Sequence, residues 1–209
     1  MDSPEDDERE PILRAATRLF AALGYDSTSC VQVGEAAGVD MATVSTYFPT
    51  KRELYLAVME EAHRIRTDVL LPRAGELRAA PPEGKAAALN RFIDGYLDLC
   101  LEYPEIPSLW MHRWLSDARD IGLDAIESQR LIYKAIDSVA TVAEPAGADA
   151  KFTTYTMIWC IHGFALSGGM DTTGQHLGTG DPEALQRFRD HMHQMLGRAT
   201  GLSEVAGGR

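Results

Sequence analysis

The sequence predicts an all-α protein with an N-terminal three-helix domain of the helix-turn-helix type and a C-terminal helical bundle. Along most of the 209 residues, apolar side chains recur at steps of three and four, which places them on one face of a helix. Glycines and prolines interrupt this pattern where helices are expected to end. No segment shows the alternation of apolar and polar residues that is typical of a strand, and a 45% hydrophobic fraction suffices for a folded core.

The first two predicted helices are separated by a short polar segment. The first starts at Pro11 and ends at Gly24, with arginines on the face opposite its apolar residues. Thr28 and Ser29 offer hydroxyl groups that can cap a second, shorter helix. Because that helix ends at Gly38, a tight turn is expected there.

A third and a fourth helix follow the turn. Asp40 can cap the third helix, residues 41–47, and Pro49 prevents its continuation. The fourth helix is expected over residues 51–71, where Pro72 closes it. Since a helix of two turns is unstable alone, the third must be held by its neighbours.

Two short helices joined through a glycine and braced on either side form the layout of a helix-turn-helix unit. The segments that carry this layout closely resemble the DNA-binding domain of the tetracycline-repressor (TetR) family, and they are residues 12–25, 28–29, 35–39, 42–44 and 47–51. The resemblance implies a ligand-responsive transcriptional regulator, most often a repressor, that binds a palindromic double-stranded DNA operator as a dimer. We expect a DNA-binding domain at residues 9–56, linked onward by helix 51–71, and an effector-binding and dimerisation domain at residues 57–201. A disordered acidic tail is expected at residues 1–8 and a flexible tail at residues 202–209.

The same resemblance assigns phosphate contacts. In this family the start of the second helix binds phosphate through a hydroxyl group and backbone N–H groups, which here implies Thr28 and Ser29. A helix N-terminus suits an anion because its N–H groups lack partners. Lys51 matches the phosphate-binding lysine of the family.

Base reading is implied for the third helix. Its outward residues are expected to be Met41, Ala42, Thr43, Ser45, Thr46 and Tyr47, with Tyr47 reaching phosphate or a thymine methyl group. Val44 and Phe48 are expected to point inward. Met41 and Ser45 depart from the lysine or polar residue and the tyrosine of many relatives, so specificity must rest on small hydroxyls, methyl contacts and water.

The charge distribution weakens this interpretation modestly. The formal net charge is -11, but residues 1–8 alone carry five acids and no base. Residues 9–66 carry seven bases and seven acids, so the domain that resembles a DNA reader is neutral. A neutral domain has a weak electrostatic attraction for phosphate.

The remainder of the chain predicts five more helices, at residues 83–103, 107–121, 122–143, 150–168 and 181–199. Aromatic residues cluster in them one turn apart, and Tyr and Trp combine apolar area with one directional hydrogen bond. We therefore expect a pocket for a small, largely apolar or aromatic effector, lined by Tyr96, Trp110, Trp114, Tyr133, Tyr155, Trp159 and His162. The alternative is that these side chains are only core.

The last two helices are expected to form a homodimer interface. Glycines 163, 168 and 169 permit close approach of the backbone. One face of the last helix is apolar, through Leu185, Phe188, Met192, Met195 and Leu196. Two copies would build a four-helix bundle, unless this face packs within its own subunit.

Other function classes find little support. The cysteines at 30, 100 and 160 are far apart, so neither a metal site nor a disulfide is expected, and no cofactor is implied. The acidic N-terminal residues are unlike a signal peptide. The uncharged run 152–170 contains too many polar groups for a lone membrane helix. We therefore expect a cytoplasmic bacterial protein that joins the nucleoid when bound to DNA.

Catalysis is likewise not expected. The sequence at 165–169 lacks the first glycine and the preceding strand of a nucleophile elbow, and His191 and His193 diverge on a helix. A DNA-binding regulator controlled by a protein partner remains the main alternative, and a helical enzyme the weaker one.

Overall fold

The computed structural model describes residues 6–115, 117–119, 121, 128–171 and 173–202, and this part of the chain is almost entirely helical. The all-α prediction is confirmed. Its helices are α1 Asp6–Ser27, α2 Cys30–Ala37, α3 Met41–Tyr47, α4 Lys51–Ala79, α5 Lys85–Glu102, α6 Glu105–Trp114, α7 Ser128–Ala143, α8 Ala150–Ser167 and α9 Pro182–Ala199.

Short elements occupy three of the connections. A 3₁₀ turn at Pro82–Gly84 precedes α5, and another at Glu144–Ala146 follows α7. Between α8 and α9, strand β1 (Gly169–Met170) pairs antiparallel with β2 (His176–Leu177). No strand was predicted in this loop, because two residues are too few to show an alternating pattern.

The chain divides into two compact units, which are residues 1–65 with 105–128, and residues 66–104 with 129–209. The first contains α1 to α3, the beginning of α4, and α6. The second contains the rest of α4 with α5, α7, α8 and α9. The predicted functional boundary at residue 56 stays a prediction, as do the two tails, since residues 1–5 and 203–209 lie outside the described part.

The first unit is built on α1, which packs against α2 and α6. Most of the apolar face predicted for α1 is buried, although Leu23 is 44% exposed. The core of this unit comprises Ile12, Ala16, Phe20, Val33, Val44, Leu54, Tyr55 and Met59. The rings of Phe20 and Tyr55 meet edge to face, with centroids 5.2 Å apart. Burial of these side chains holds the short α3 in place.

Several helix ends differ from the prediction, and α1 begins at Asp6 rather than at Pro11. The fourth helix does not end at Pro72 but continues to Ala79, with Pro72 inside it. Proline removes one backbone hydrogen bond, yet Leu70 and Leu77 are buried on either side, and this burial offsets the loss. Arg73 Nη1 also donates a 2.7 Å hydrogen bond to the carbonyl of Val69 in the affected turn.

The sixth helix is shorter than the predicted 107–121, since it ends at Trp114. Ala118 beyond it has a φ of 53°, which no α-helix accommodates. The guanidinium of Arg113 fixes this turn by donating hydrogen bonds of 2.6 Å and 2.9 Å to the carbonyls of Ala118 and Ile121. The start predicted for the seventh helix, at 122–127, lies outside the described residues.

The second unit is centred on α5, which packs against α8 and α9 while α8 packs against α9. Its core includes Leu77, Leu89, Phe92, Ile93, Leu97, Val139, Ile161 and Leu196. Arg189 of α9 donates to the carboxylates of Asp94 and Asp98 on α5, at 2.8 Å and 2.5 Å. An apolar core and a partly buried ion-pair network therefore hold the last helix to its own subunit.

Candidate nucleic-acid interface

The turn between α2 and α3 is fixed by local hydrogen bonds. Ser29 Oγ accepts from the backbone N–H of Gln32 at 3.2 Å, and Gln32 Oε1 accepts from the N–H of Ser29 at 2.8 Å, which forms a capping box. Gly38 ends α2 with φ 75° and ψ 25°, a left-handed conformation that favours glycine. A side chain at Gly34 would lie 3.0 Å from the carbonyl of Val39, so the two helices approach closely here.

Helix α3 presents one face outward. Asp40 Oδ1 accepts from the N–H of Thr43 at 2.8 Å, and this bonding holds the pKa of Asp40 below its usual value. Val44 and Phe48 are buried, as predicted. The six predicted base-contacting residues remain accessible: Met41, Ala42 and Thr46 are exposed, while Thr43, Ser45 and Tyr47 are half-buried.

The two hydroxyls at the start of α2 have different environments. Thr28 is 2% exposed, and its Oγ1 donates 2.7 Å to the carbonyl of Gly24 inside the protein. Ser29 is exposed and caps the helix. Of the two predicted hydroxyls, Ser29 is therefore the one open to solvent, and Thr28 shapes the bend before α2.

Lys51 lies at the first position of α4, and its ammonium group is oriented by the last residues of α1, beyond the kink at Gly24. The Nζ atom is 4.3 Å from the ring centroid of Tyr25 and donates 3.4 Å to the carbonyl of Asp26. Thr50 and Glu53 form a second capping box at the same helix end, with hydrogen bonds of 3.0 Å and 3.1 Å. Lys51 is thereby held beside the bend that leads into α2.

The residues that support this bend were not predicted from the sequence. Asp117 accepts from the backbone N–H of Tyr25 at 2.6 Å and of Asp26 at 2.9 Å. His112 Nε2 bonds the carbonyl of Ala21 at 3.1 Å. These partners lie some ninety positions later in the chain, and local spacing carries no signal for them.

The predicted effector-binding residues do not form one cluster. Trp110 is buried and Trp114 exposed, both in the first unit. In the second unit Tyr96 and His162 are buried and share a 2.6 Å hydrogen bond, whereas Tyr155 stacks on Trp159 at 5.5 Å. Tyr133 and Trp159 are 63% and 50% exposed. Among the described residues, the structure brings only Tyr96 and His162 of this set together in the interior.

A small cavity adjoins Tyr96 in the second unit. Its walls come from α4, α5, α7 and α8, and they include Arg66, Leu70, Phe92, Leu131, Thr154 and Met157. It is about large enough for one water molecule. Arg66, which was not predicted, is the cationic group of its wall.

Burial dominates the protonation of the neighbouring groups. The pKa of His162 is lowered to about 3, first by burial and then by the charge of Arg66. The pKa of the Cys100 thiol is raised to about 12 by burial. At neutral pH, both the imidazole and the thiol are therefore uncharged beside the guanidinium.

The predicted dimer helices leave an open apolar surface. The rings of Phe164 and Phe188 stack at 4.0 Å between α8 and α9, and Met192 and Leu196 are buried within their own subunit. The exposed apolar residues are instead Phe152, Trp159 and Leu166 of α8, with Met170 of β1. The first three recur every seven residues, so they lie along one face of the helix.

Within the described ranges, no group of three His, Cys, Asp or Glu residues could hold a metal ion, and the three cysteines carry free thiols. None of the described helices is both long and apolar enough to cross a bilayer.

The family model that matches this chain covers its N-terminal part. The family model described as bacterial regulatory proteins, tetR family, matches residues 12–58. The HTH-type transcriptional regulator RutR of Escherichia coli (strain K12) is 30% identical over 113 residues, which are 53% of this chain and 50% of that protein. The HTH-type transcriptional activator FasR of Mycolicibacterium smegmatis is 35% identical over 57 residues, covering 27% of this chain and 26% of the activator. The chain thus spans half or less of the length of these curated relatives.

Solved structures match nearly the whole chain. AibR in complex with isovaleryl coenzyme A and operator DNA superposes with a TM-score of 0.67 at 16% identity, covering 92% of this chain and 98% of that one. A TetR-like transcriptional regulator from Rhodococcus sp. RHA1 gives 0.66 at 18% identity, with 97% and 100% covered. HlyIIR, a haemolysin II transcriptional regulator, gives 0.62 at 22% identity, with 94% and 97% covered. At these identities the likeness establishes the fold.

Proposed function

We propose that this chain, whose residues 12–58 match the model of the bacterial regulatory proteins of the tetR family, is a ligand-responsive transcriptional regulator of that family. It binds a palindromic operator as a homodimer and leaves the operator when a small effector binds. The observation that carries the proposal is the outward face of α3, held above the buried Val44 and Phe48. Seven residues of helix with one free face fit the major groove.

The DNA contacts are proposed residue by residue. Met41, Ala42, Thr43, Ser45 and Thr46 meet base edges, and Tyr47 meets a phosphate or a thymine methyl group. Ser29 and the N-terminus of α2, together with Lys51, bind phosphate. Thr28 contributes by shaping the bend, since its hydroxyl is engaged inside the protein.

Two copies are proposed to associate through α8 and α9. The apolar stripe of Phe152, Trp159 and Leu166 supplies a face that a monomer leaves in water. One helix-turn-helix unit contacts too few bases for useful specificity, and dimerisation supplies the second unit.

The effector is proposed to bind in the second unit, at the cavity beside Tyr96 and Phe92. AibR offers support by analogy, since that protein has been crystallised with both isovaleryl coenzyme A and operator DNA. A regulator that binds chromosomal DNA acts in the cytoplasm, which is where we place this protein.

In vitro selection tests the proposal. The purified full-length protein is incubated with a random duplex DNA pool, and bound fragments are amplified and sequenced through several rounds. We expect enrichment of an inverted repeat with half-sites about one helical turn apart. A parallel selection with Lys51→Ala serves as the control and should enrich the same motif less efficiently. Failure to enrich any motif, or enrichment of a single unrepeated half-site, would contradict the proposal.

A further inference from the structure

We propose that Arg9, near the start of α1, binds a phosphate of the operator and gives each subunit a second cationic DNA contact besides Lys51. This inference rests on the proposed regulatory function and adds a residue to its DNA interface. It is carried by one contact, in which the guanidinium carbon of Arg9 lies over the ring of Phe48, 5.3 Å from the ring centroid. Because Phe48 directly follows α3, this contact places Arg9 beside the end of the helix that we propose contacts bases.

The position of Phe48 is fixed by α3 and by the core. Its backbone N–H donates a 2.9 Å hydrogen bond to the carbonyl of Val44, and its side chain is 5% exposed. Tyr47, the residue before it, is a proposed phosphate or thymine contact and is half-buried. A cation that rests on the ring of Phe48 is therefore kept close to the C-terminal end of α3.

The guanidinium of Arg9 is accessible to an anion. Arg9 is exposed, and contact with the face of an aromatic ring leaves the N–H groups along the edge of a guanidinium able to donate. Phosphate oxygens accept such charge-assisted hydrogen bonds, often two at a time. The ring also restricts the side chain before DNA binds, which lowers the entropy lost on binding.

The acids near Arg9 have other cationic partners. Glu61 of α4 accepts hydrogen bonds of 2.9 Å and 2.5 Å from Arg64. This bonding is the first cause of the lowered pKa of Glu61, and the charge of Arg9 adds to it. Glu10, next to Arg9 in the chain, pairs with Arg14 at 3.3 Å. Since other arginines are the main partners of both carboxylates, Arg9 can approach a phosphate.

The N-terminal part of the chain has few cations to offer to DNA. Residues 9–66 contain seven basic and seven acidic residues, so their affinity for phosphate depends on where individual cations lie. Arg66 is buried, and Arg14 is paired with an acid. Arg9 and Lys51 are instead each held on an aromatic ring near α2 or α3.

Arg9 and Lys51 are too far apart to share one phosphate. The ammonium group of Lys51 lies over the ring of Tyr25, just beyond the kink of α1 at Gly24. At 1.5 Å per residue, the helix from Arg9 to Gly24 is about 22 Å long. Each cation should therefore release its own counterion when it binds DNA, and the two effects on salt dependence should add.

Salt dependence tests the contact. Binding of full-length Arg9→Met to the selected operator and to a scrambled duplex is measured by fluorescence anisotropy across a KCl series. Methionine keeps apolar packing against Phe48 and removes the charge. We expect the affinity for both duplexes to fall about threefold or more, and the salt slope to fall by about one ion per subunit. Arg14→Met, which removes the same charge from an exposed position of α1, is the control and should leave the slope unchanged.

Two further variants separate a phosphate contact from a structural role. Arg9→Lys keeps the charge and should retain the salt slope of the parent protein, whereas the slope of the double variant Arg9→Met/Lys51→Ala should fall by the sum of the single losses. A purely structural role of Arg9 would lower affinity without changing the slope, and that result would overturn the inference. An equal fall in slope for Arg14→Met would also overturn it, because the effect would then come from net charge.

The base preference of the variant gives a last check. Selection from the random duplex pool with Arg9→Met should enrich the same inverted repeat as the parent protein, since phosphate contacts carry no sequence information. A changed motif would make Arg9 a base contact and overturn the assignment to phosphate.

The two proposals can fail separately. If selection with the parent protein yields no operator, the regulatory function fails, and this contact fails with it. If an operator is selected but its salt slope does not depend on Arg9, only the contact proposed for Arg9 is wrong.

Discussion

The backbone N–H of Tyr25 donates a 2.6 Å hydrogen bond to Oδ2 of Asp117, a residue that lies 92 positions later in the chain. The ring of Tyr25 in turn lies 4.3 Å from the ammonium group of Lys51. Lys51, which we propose binds phosphate, is thus oriented by a segment whose backbone is held from outside residues 12–58, the part that matches the family model. The geometry of the proposed interface therefore depends on more of the chain than the helix-turn-helix motif.

Asp117→Asn should destabilise the protein. The carboxylate accepts one hydrogen bond on each oxygen, whereas asparagine offers one acceptor and turns an NH₂ group toward the second N–H. We expect a loss of about 1–3 kcal/mol in the free energy of unfolding, measured by urea denaturation. Asp137→Asn, at an exposed position of α7, is the control. Equal stability of the two variants would show that the hydrogen bonds from Tyr25 and Asp26 to Asp117 contribute nothing to the stability of the fold.

Gly24→Ala should also be destabilising. Gly24 has φ 81° and ψ 168°, a region open essentially only to glycine, and a Cβ there would lie 3.1 Å from His112 Nδ1 and 3.2 Å from Asp117 Cγ. We expect a loss of about 2 kcal/mol or more. Gly75→Ala is the matched control, because that glycine lies exposed in α4 with open space around it, and it should gain about 0.5–1 kcal/mol. If both substitutions changed the free energy of unfolding in the same direction, the strain argued for a side chain at Gly24 would be refuted.

Much of the region around α2 and α3 could be predicted, because the residues that end these helices act on near neighbours in the sequence. Ser29, Asp40 and Gly38 cap helices through neighbours within five positions, so their types and spacing specify the ends of α2 and α3. The helix end predicted at Pro72 was wrong because the burial of Leu70 and Leu77, which offsets the lost hydrogen bond, depends on partners distant in the sequence.

The interior of the second unit was harder to predict. Spacing showed that aromatic residues share a helix face, but not that Tyr96 is buried and Trp159 half-exposed. Arg66 looks like any surface arginine in the sequence, and Asp117 like any loop acid. Their roles arise from contacts with segments far away in the chain, which helical periodicity does not encode.

Lys51→Ala should weaken DNA binding without changing sequence preference. Loss of one phosphate contact reduces affinity for every sequence and lowers the salt slope of the binding constant by about one ion. Fluorescence anisotropy with the selected operator and a scrambled duplex, across a salt series, measures both. Thr46→Ala is the contrasting variant, because a residue on the exposed face of α3 should alter base preference and leave the salt slope unchanged. An unchanged affinity of Lys51→Ala for both duplexes would refute the proposed contact between Lys51 and a phosphate.

Trp159→Glu should dissociate the proposed dimer. Trp159 lies in the middle of the exposed stripe on α8, and a carboxylate placed there would be buried in an apolar interface without a partner. Sedimentation equilibrium should give a monomer for this variant and a dimer for the parent chain. Tyr133→Glu, which replaces an exposed aromatic residue of α7, should remain dimeric. A dimer in both variants would exclude this face as the interface.

His162 should make the protein less stable in mild acid. Its pKa is lowered to about 3 in the folded chain by burial and by Arg66, against about 6.5 in an unfolded chain. Between these values the unfolded state binds a proton that the folded state excludes. The stabilisation is therefore complete above about pH 6.5 and is lost as the pH falls, by up to about 1.4 kcal/mol per unit. His162→Gln removes this contribution, so the stability difference between parent and variant should shrink by about 2 kcal/mol from pH 6.5 to pH 5. Urea denaturation at one fixed protein concentration measures the difference, and NMR of the ring nitrogens reports the protonation directly. A pH-independent difference, or a His162 ring that titrates near pH 6.5, would contradict the burial of an uncharged imidazole beside Arg66.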